Sequence, residues 1–223
     1  IHSKNVPTVK ILEEVGIDYV VHLAKLFGIS APLAKDFTLA LGSSGVSLWE
    51  ITHMMGVIAN HGKRLRGVFI DSVIDREGTV ILGRQEEIDT HKLKEKKLLD
   101  EVLASIKPDD KFKSENFPVF QNENQVIPTP YADVMTSLLR NAVIYGTGQR
   151  ASDLPFPVAG KTGTTTNYVD SWFVGFSPSI VTGVWVGLDQ ESRLGRSETG
   201  SVAALPIWKD FMKYAGKIDE GSD

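Results

Sequence analysis

Two apolar runs, 171–176 and 180–188, are separated only by Ser177-Pro178-Ser179. A link that short cannot make the long crossover that parallel strands require, so the runs can pair only as antiparallel strands. Trp172, Val174 and Phe176 fall on one side of the first strand and Phe173 on the other. Bulky groups on both sides imply a sheet covered on both faces. The preceding run, Val158-Ala159-Gly160-Lys161-Thr162-Gly163-Thr164-Thr165, has the character of a strand edge. It sets a cation, several hydroxyls and a glycine where a peptide carboxylate could be held and an extended backbone hydrogen-bonded.

Helical patterns surround these strands. Asn5-Val6-Pro7 predicts a helix entry with Asn5 as the cap, Ile11, Leu12 and Val15 on one face, and a stop at Gly16. Asp18 is expected to cap a second short helix closed by Gly28. Ser47 begins a third, with Ile51, Met55 and Ile58 toward a core and an end near Gly62. Val68–Ile70 and Thr79–Leu82 flank Asp75-Arg76-Glu77-Gly78, the pattern of a hairpin. Residues 84–125 turn to charge and amide, and their plain reading is a solvated polar insertion. Thr129-Pro130 opens a long helix in which Tyr131, Val134, Met135, Leu138, Leu139 and Ala142 recur at helical spacing, a stripe expected to be core. Ile207, Trp208, Phe211 and Met212 predict a closing helix on the sheet.

Composition removes several function classes. With 24 Lys and Arg against 28 Asp and Glu, the net charge of −4 argues against a nucleic-acid surface. There is no cysteine, so disulfides and thiolate metal sites are excluded, and no cofactor or metal is expected. The five histidines include no pair at zinc-protease spacing, and Gly-x-Ser-x-Gly is absent. Gly160-Lys161-Thr162 resembles the end of a phosphate-binding loop, but that pattern needs a glycine where Pro155 stands. No apolar run is long enough to span a bilayer, and no signal peptide is visible. The chain opens on Ile1, and it is expected to be a piece of a longer protein.

Ser3-Lys4-Asn5 taken with Lys161-Thr162-Gly163-Thr164, in that order, is more specific than either alone. Asp170-Ser171-Trp172-Phe173-Val174-Gly175, Gly183-Val184-Trp185-Val186-Gly187, Gly146-Thr147-Gly148 and Ala204-Leu205-Pro206-Ile207-Trp208 add to it. On these residues the chain resembles the penicillin-binding proteins, and most of all the transpeptidase domain of the class A, bifunctional, 1A-type enzymes. The likeness runs over nearly the whole chain except 84–125.

The resemblance implies an α/β transpeptidase fold shared with the serine β-lactamases: an antiparallel sheet flanked by helices, beside a helical lobe expected to be incomplete here. It implies a peptidoglycan D,D-transpeptidase that cross-links stem peptides through a serine acyl-enzyme and is acylated by β-lactams. Such proteins carry Ser-x-x-Lys, a Ser-x-Asn element and Lys-Thr-Gly. No serine here has a lysine three residues on. Residues 1–223 are therefore expected to be the C-terminal part of one transpeptidase domain, its nucleophile on a preceding segment and this chain inactive by itself. Ser3, Asn5 and Lys161 would be catalytic. Ser3 would relay a proton, Asn5 would orient the substrate amide and the absent lysine, and Lys161 would keep the pocket positive. Thr162 and Thr164 would bind the substrate carboxylate, Gly163 would let the substrate backbone approach, and the Thr164 N–H would serve the oxyanion. The resemblance further implies a parent anchored on the periplasmic face of the cytoplasmic membrane, with a glycosyltransferase domain. A β-lactamase and a non-catalytic penicillin-sensing or scaffold module are the competing functions.

Overall fold

The computed structural model describes residues 2–82, 97, 124–165, 168–190, 192–195 and 198–219; the polar insertion expected over 84–125 lies almost wholly outside them. The chain divides into two compact units, Leu65–Val119 and the remainder.

The larger unit is built on a three-stranded sheet: β3 (Ala159–Thr164), β4 (Ser171–Phe176) and β5 (Val181–Val186), adjacent in that order and antiparallel. Lys161 pairs with Val174 and Gly163 with Trp172, and across β4 Trp172 faces Trp185. Side chains alternate, so Lys161 and Gly163 share one face with Val174 and the two tryptophans, while Thr162 and Thr164 share the other with Phe173 and Ser171. α3 (Leu48–Ala59) packs on β4 and β5. A π-helical turn (Gly200–Ala204) and the C-terminal helix α5 (Leu205–Asp219) also lie against the sheet. Phe173, Leu205, Trp208, Met212 and Val143 form the main core. Phe173 meets Trp208 edge-on with centroids 4.8 Å apart, and the Trp208 Nε1–H donates to Thr182 O at 2.9 Å, so the buried indole keeps its hydrogen bond.

α4 (Thr129–Tyr145) runs along β3. It buries Ala132, Leu139, Ala142 and Val143, whereas Tyr131, Val134, Met135 and Leu138 are exposed. The stripe expected to be core is thus divided. Apolar residues occupy two faces of this helix, and among the described residues only the face toward β3 and α3 is covered. Ile207, Phe211 and Tyr214 of α5 are likewise exposed.

Several local expectations shift. α1 (Asn5–Val15) is capped at Lys4, which is extended, so Asn5 is already helical and its side chain makes no cap; the Thr8 hydroxyl instead donates to Lys4 O. Leu12 is buried but Ile11, one helical step of about 100° away, is 60% exposed. α2 (Ile17–Leu26) starts after Gly16, with Asp18 inside its first turn rather than at the cap.

In the smaller unit, β1 (Val73–Ile74) pairs with β2 (Val80–Leu82). The first arm is therefore not Val68–Ile70. Asp75 Oδ1 accepts from Glu77 N and Thr79 N, and this knot draws the pairing to the residues next to the turn.

Ser47 caps α3 through a full capping box with Glu50. Glu50 is only 8% exposed, yet its carboxylate is well supplied with donors. Oε1 accepts from Ser30 N, Ser30 Oγ and Ala31 N, and Oε2 from Ser47 N and Ser47 Oγ. Burial alone would favour the neutral acid, but the Ser47 and Ser30 hydrogen bonds outweigh it and hold the pKa at about 2 instead of 4.5. Because the folded value is depressed, this stabilisation is complete above the unfolded value and is lost as pH falls toward about 2. Glu50→Gln turns a donor toward donors and is expected to cost about 2–3 kcal/mol at neutral pH. Urea midpoints at pH 7 and pH 3 check this: the wild type should lose more stability between them than the variant does.

Candidate active site

β3 carries the candidate residues. Lys161 is half-buried, and burial pushes its ammonium below the ordinary lysine pKa of 10.5. Its Nζ donates to Ser3 Oγ at 2.6 Å and to Thr162 O at 2.9 Å. Ser3 precedes α1 and is 158 positions away in sequence, so this contact ties the first residues of the chain to the strand. The Ser3 backbone has φ +49°, a left-handed conformation that costs a non-glycine residue on the order of 1 kcal/mol. Asn5 opens α1, and among the described residues no side-chain hydrogen bond reaches it. The structure thus brings Ser3 and Lys161 together and leaves Asn5 beside them on the helix, without a link to either.

The two threonines of β3 are each held by an element outside the sheet. Thr162 Oγ1 lies 2.7 Å from Thr147 Oγ1, in the loop after α4. Thr164 Oγ1 accepts the Gly200 N–H at 3.0 Å. An N–H can only donate, so the Thr164 proton is left free for an acceptor in front of the strand. Gly163 faces Trp172 across the ladder, and a Cβ placed on it would lie 3.1 Å from Trp172 Cβ.

Beyond the strand, Asp170 N donates to Thr165 Oγ1 at 2.8 Å, and Asp170 Oδ1 accepts the Trp185 Nε1–H at 2.8 Å. This carboxylate fastens the end of the turn to the sheet. The Trp172 and Trp185 ring centroids stand 6.2 Å apart, and Trp185 is 41% exposed, so the sheet expected to be covered on both faces is open at this residue. Thr147 and Gly200 were not singled out as site residues by the sequence. Gly146-Thr147-Gly148 enters the sequence reading as part of the family resemblance, with no role for Thr147, and nothing local marks Gly200.

The arrangement is a sheet edge with a cation that no carboxylate among the described residues pairs, two anchored hydroxyls and a hydroxyl partner for the cation. It can hold an anion and pass a proton between Ser3 and Lys161. Among the described residues no group of acidic and imidazole side chains could hold a metal ion.

Comparison with known proteins agrees with the geometry. The family model of the penicillin binding protein transpeptidase domain matches residues 1–213. Penicillin-binding protein 1A of Aquifex aeolicus is 36% identical over 222 residues, spanning 100% of this chain and 26% of that protein. Its counterpart in Rickettsia bellii is 37% identical over 218 residues, spanning 96% of this chain and 26% of that protein. The crystal structure of penicillin-binding protein 1A from Haemophilus influenzae superposes with a TM-score of 0.74 at 24% identity, covering 96% of this chain and 33% of that one. The chain therefore spans about a quarter of the length of the relatives it matches. With the family model matched over residues 1–213 and the fold shared with a solved relative over 96% of the chain, this chain belongs to the penicillin-binding protein transpeptidase family.

Proposed function

We propose that these residues form the substrate-receiving part of a serine D,D-transpeptidase that cross-links peptidoglycan stem peptides and is acylated by β-lactams. The observation that carries the reading is the 2.6 Å contact between Lys161 Nζ and Ser3 Oγ. It joins the two motif elements the chain contains at the edge of β3. The nucleophilic serine and its lysine lie on a segment of the same protein outside these 223 residues. That segment also covers the apolar faces of α4 and α5. The relatives extend well beyond the matched span, which leaves room for it.

In the proposed reaction the serine oxygen attacks the carbonyl carbon of the penultimate D-Ala. The peptide C–N bond breaks, and the serine proton passes through its lysine and Ser3 to the departing amine. Lys161, Thr162 and Thr164 receive the terminal carboxylate. The Thr164 N–H takes the developing oxyanion, a donor typically worth about 3 kcal/mol. An amine of a second stem peptide then attacks the ester, forms the cross-link and returns the proton and the serine. Asn5, at the start of α1, hydrogen-bonds the substrate amide. The work takes place outside the cytoplasmic membrane, where the stem peptides are. Among the described residues no helix is long and apolar enough to cross a membrane.

Fluorescent penicillin tests the reading. The full-length protein is expected to form a covalent adduct that survives denaturation, and the 223-residue chain by itself to form none. A full-length protein that never labels would point to a non-catalytic module. Rapid loss of the label with drug turnover would point to a β-lactamase. Labelling of the isolated chain would show that the attacking group has been misplaced.

A further inference from the structure

We infer that Thr147 is a positioning residue for anion recognition: its hydroxyl sets the direction in which the Thr162 hydroxyl donates. The inference rests on the transpeptidase reading above, in which Thr162 meets the substrate carboxylate.

Thr147 sits between two glycines where α4 ends. The loop folds back on the helix, with Gly148 N donating to Ala142 O at 3.0 Å. The fit is close: a Cβ on Gly148 would lie 3.2 Å from Val143 Cα and 3.3 Å from Ala142 O. Because α4 packs along β3, this fixed loop delivers Thr147 Oγ1 to 2.7 Å from Thr162 Oγ1.

Each hydroxyl has one proton and two lone pairs, so the pair can point either way. When Thr162 donates to Thr147, only lone pairs remain on Thr162 for an incoming carboxylate, and the contact is repulsive. When Thr147 donates, the Thr162 proton is free for the carboxylate, and the accepted hydrogen bond polarises that O–H into a better donor. A carboxylate therefore selects the second arrangement, which needs only the two hydroxyl protons to rotate, that of Thr162 toward the carboxylate and that of Thr147 toward Thr162. Thr164 has no such choice. Its oxygen already accepts from the Gly200 N–H, so its proton is free from the start. One hydroxyl of the strand is set by the backbone and the other through Thr147. A turn between two glycines would serve as well with any small residue; the hydroxyl at this position is what the strand uses.

The test measures acylation of the full-length protein by benzylpenicillin and by its methyl ester, which lacks the carboxylate charge. Thr147→Val keeps the shape and removes the hydroxyl. Charge-assisted hydrogen bonds are the strong ones, so the acid is expected to lose about tenfold in acylation efficiency, as a higher half-saturating concentration. The ester should change little, and Thr147→Ser should restore the acid. On a Thr162→Val background, Thr147→Val should add nothing, because the two act as one unit. Equal losses with acid and ester, no loss with either, failure of serine to restore the acid, or additive losses in the double variant would each overturn the inference. Lys161→Ala measured alongside separates the two levels. If it abolishes acylation while Thr147→Val acts equally on acid and ester, only the role of Thr147 falls. If Lys161→Ala leaves acylation intact, the transpeptidase reading falls and takes the inference with it.

Discussion

Lys161→Ala is expected to lower penicillin acylation of the full-length protein by about a thousandfold or more, with the melting temperature close to wild type. The two halves of this result have one cause. Lys161 is half-buried, and among the described residues no carboxylate pairs with it. Burial without a paired carboxylate disfavours the charged form and depresses its pKa, so the ammonium contributes little to folding. Its value lies in what it offers the strand edge. Nζ has three donors, of which Ser3 Oγ and Thr162 O take two, and the third is available to a carboxylate. Alanine removes the charge that receives the anion and the partner that holds Ser3 in its strained conformation. The sign of the pH dependence follows. As pH rises through the lowered lysine pKa, the ammonium is lost, so wild-type acylation should fall on an alkaline limb below the ordinary lysine range. Lys161→Arg stays charged throughout, and its residual activity should show that limb displaced upward. Stopped-flow acylation rates across pH check both points. An alkaline limb identical in Lys161→Arg would mean that another group titrates there.

The sheet is legible in the sequence because its determinants are local. The short link of residues 177–180 forces β4 and β5 to be antiparallel, and period-two alternation sets which side chains share a face. Ser47 is legible as a helix start for the same reason, since its capping partner Glu50 is three residues on. What fails is whatever depends on a distant neighbour. Periodicity makes Tyr131, Val134, Met135 and Leu138 an apolar stripe, but it does not say what covers the stripe, and here that face is exposed. The hairpin is the local exception: its turn is visible at Asp75–Gly78, but the arm that pairs is chosen by Asp75 hydrogen bonds two and four residues long that the apolar pattern does not carry. At the candidate site, Ser3 and Lys161 can be associated through motif order alone. The hydroxyl pair Thr147–Thr162 and the support from Gly200 arise from packing between segments 15 and 36 residues apart, and no local pattern encodes them.

Gly200→Ala is expected to cost about 2–3 kcal/mol of stability and about a hundredfold in acylation, a large effect for one methyl group. A Cβ there would lie 2.3 Å from Trp172 O, 2.6 Å from Gly163 O and 3.2 Å from Gly163 N. All three are backbone atoms of strands locked in register, Gly163 opposite Trp172, so they cannot swing aside as a side chain would. The π-helical turn must move instead. That withdraws the Gly200 N–H from Thr164, the residue proposed to supply both a hydroxyl and an oxyanion donor. It also strains the preceding anchor, where Ser171 Oγ donates to Glu198 O, and the following residues, since the turn runs directly into Leu205 and Trp208 of the core. Gly45→Ala is the matched control: nothing lies within 4 Å of the added carbon, and stability should change by no more than about 0.5 kcal/mol. Denaturant midpoints and acylation rates of both variants separate a general cost of replacing glycine from the specific cost of this contact. If Gly200→Ala folds and acylates like the wild type, the turn can slide on the sheet, and the orientation of Thr164 must be set from the substrate side instead.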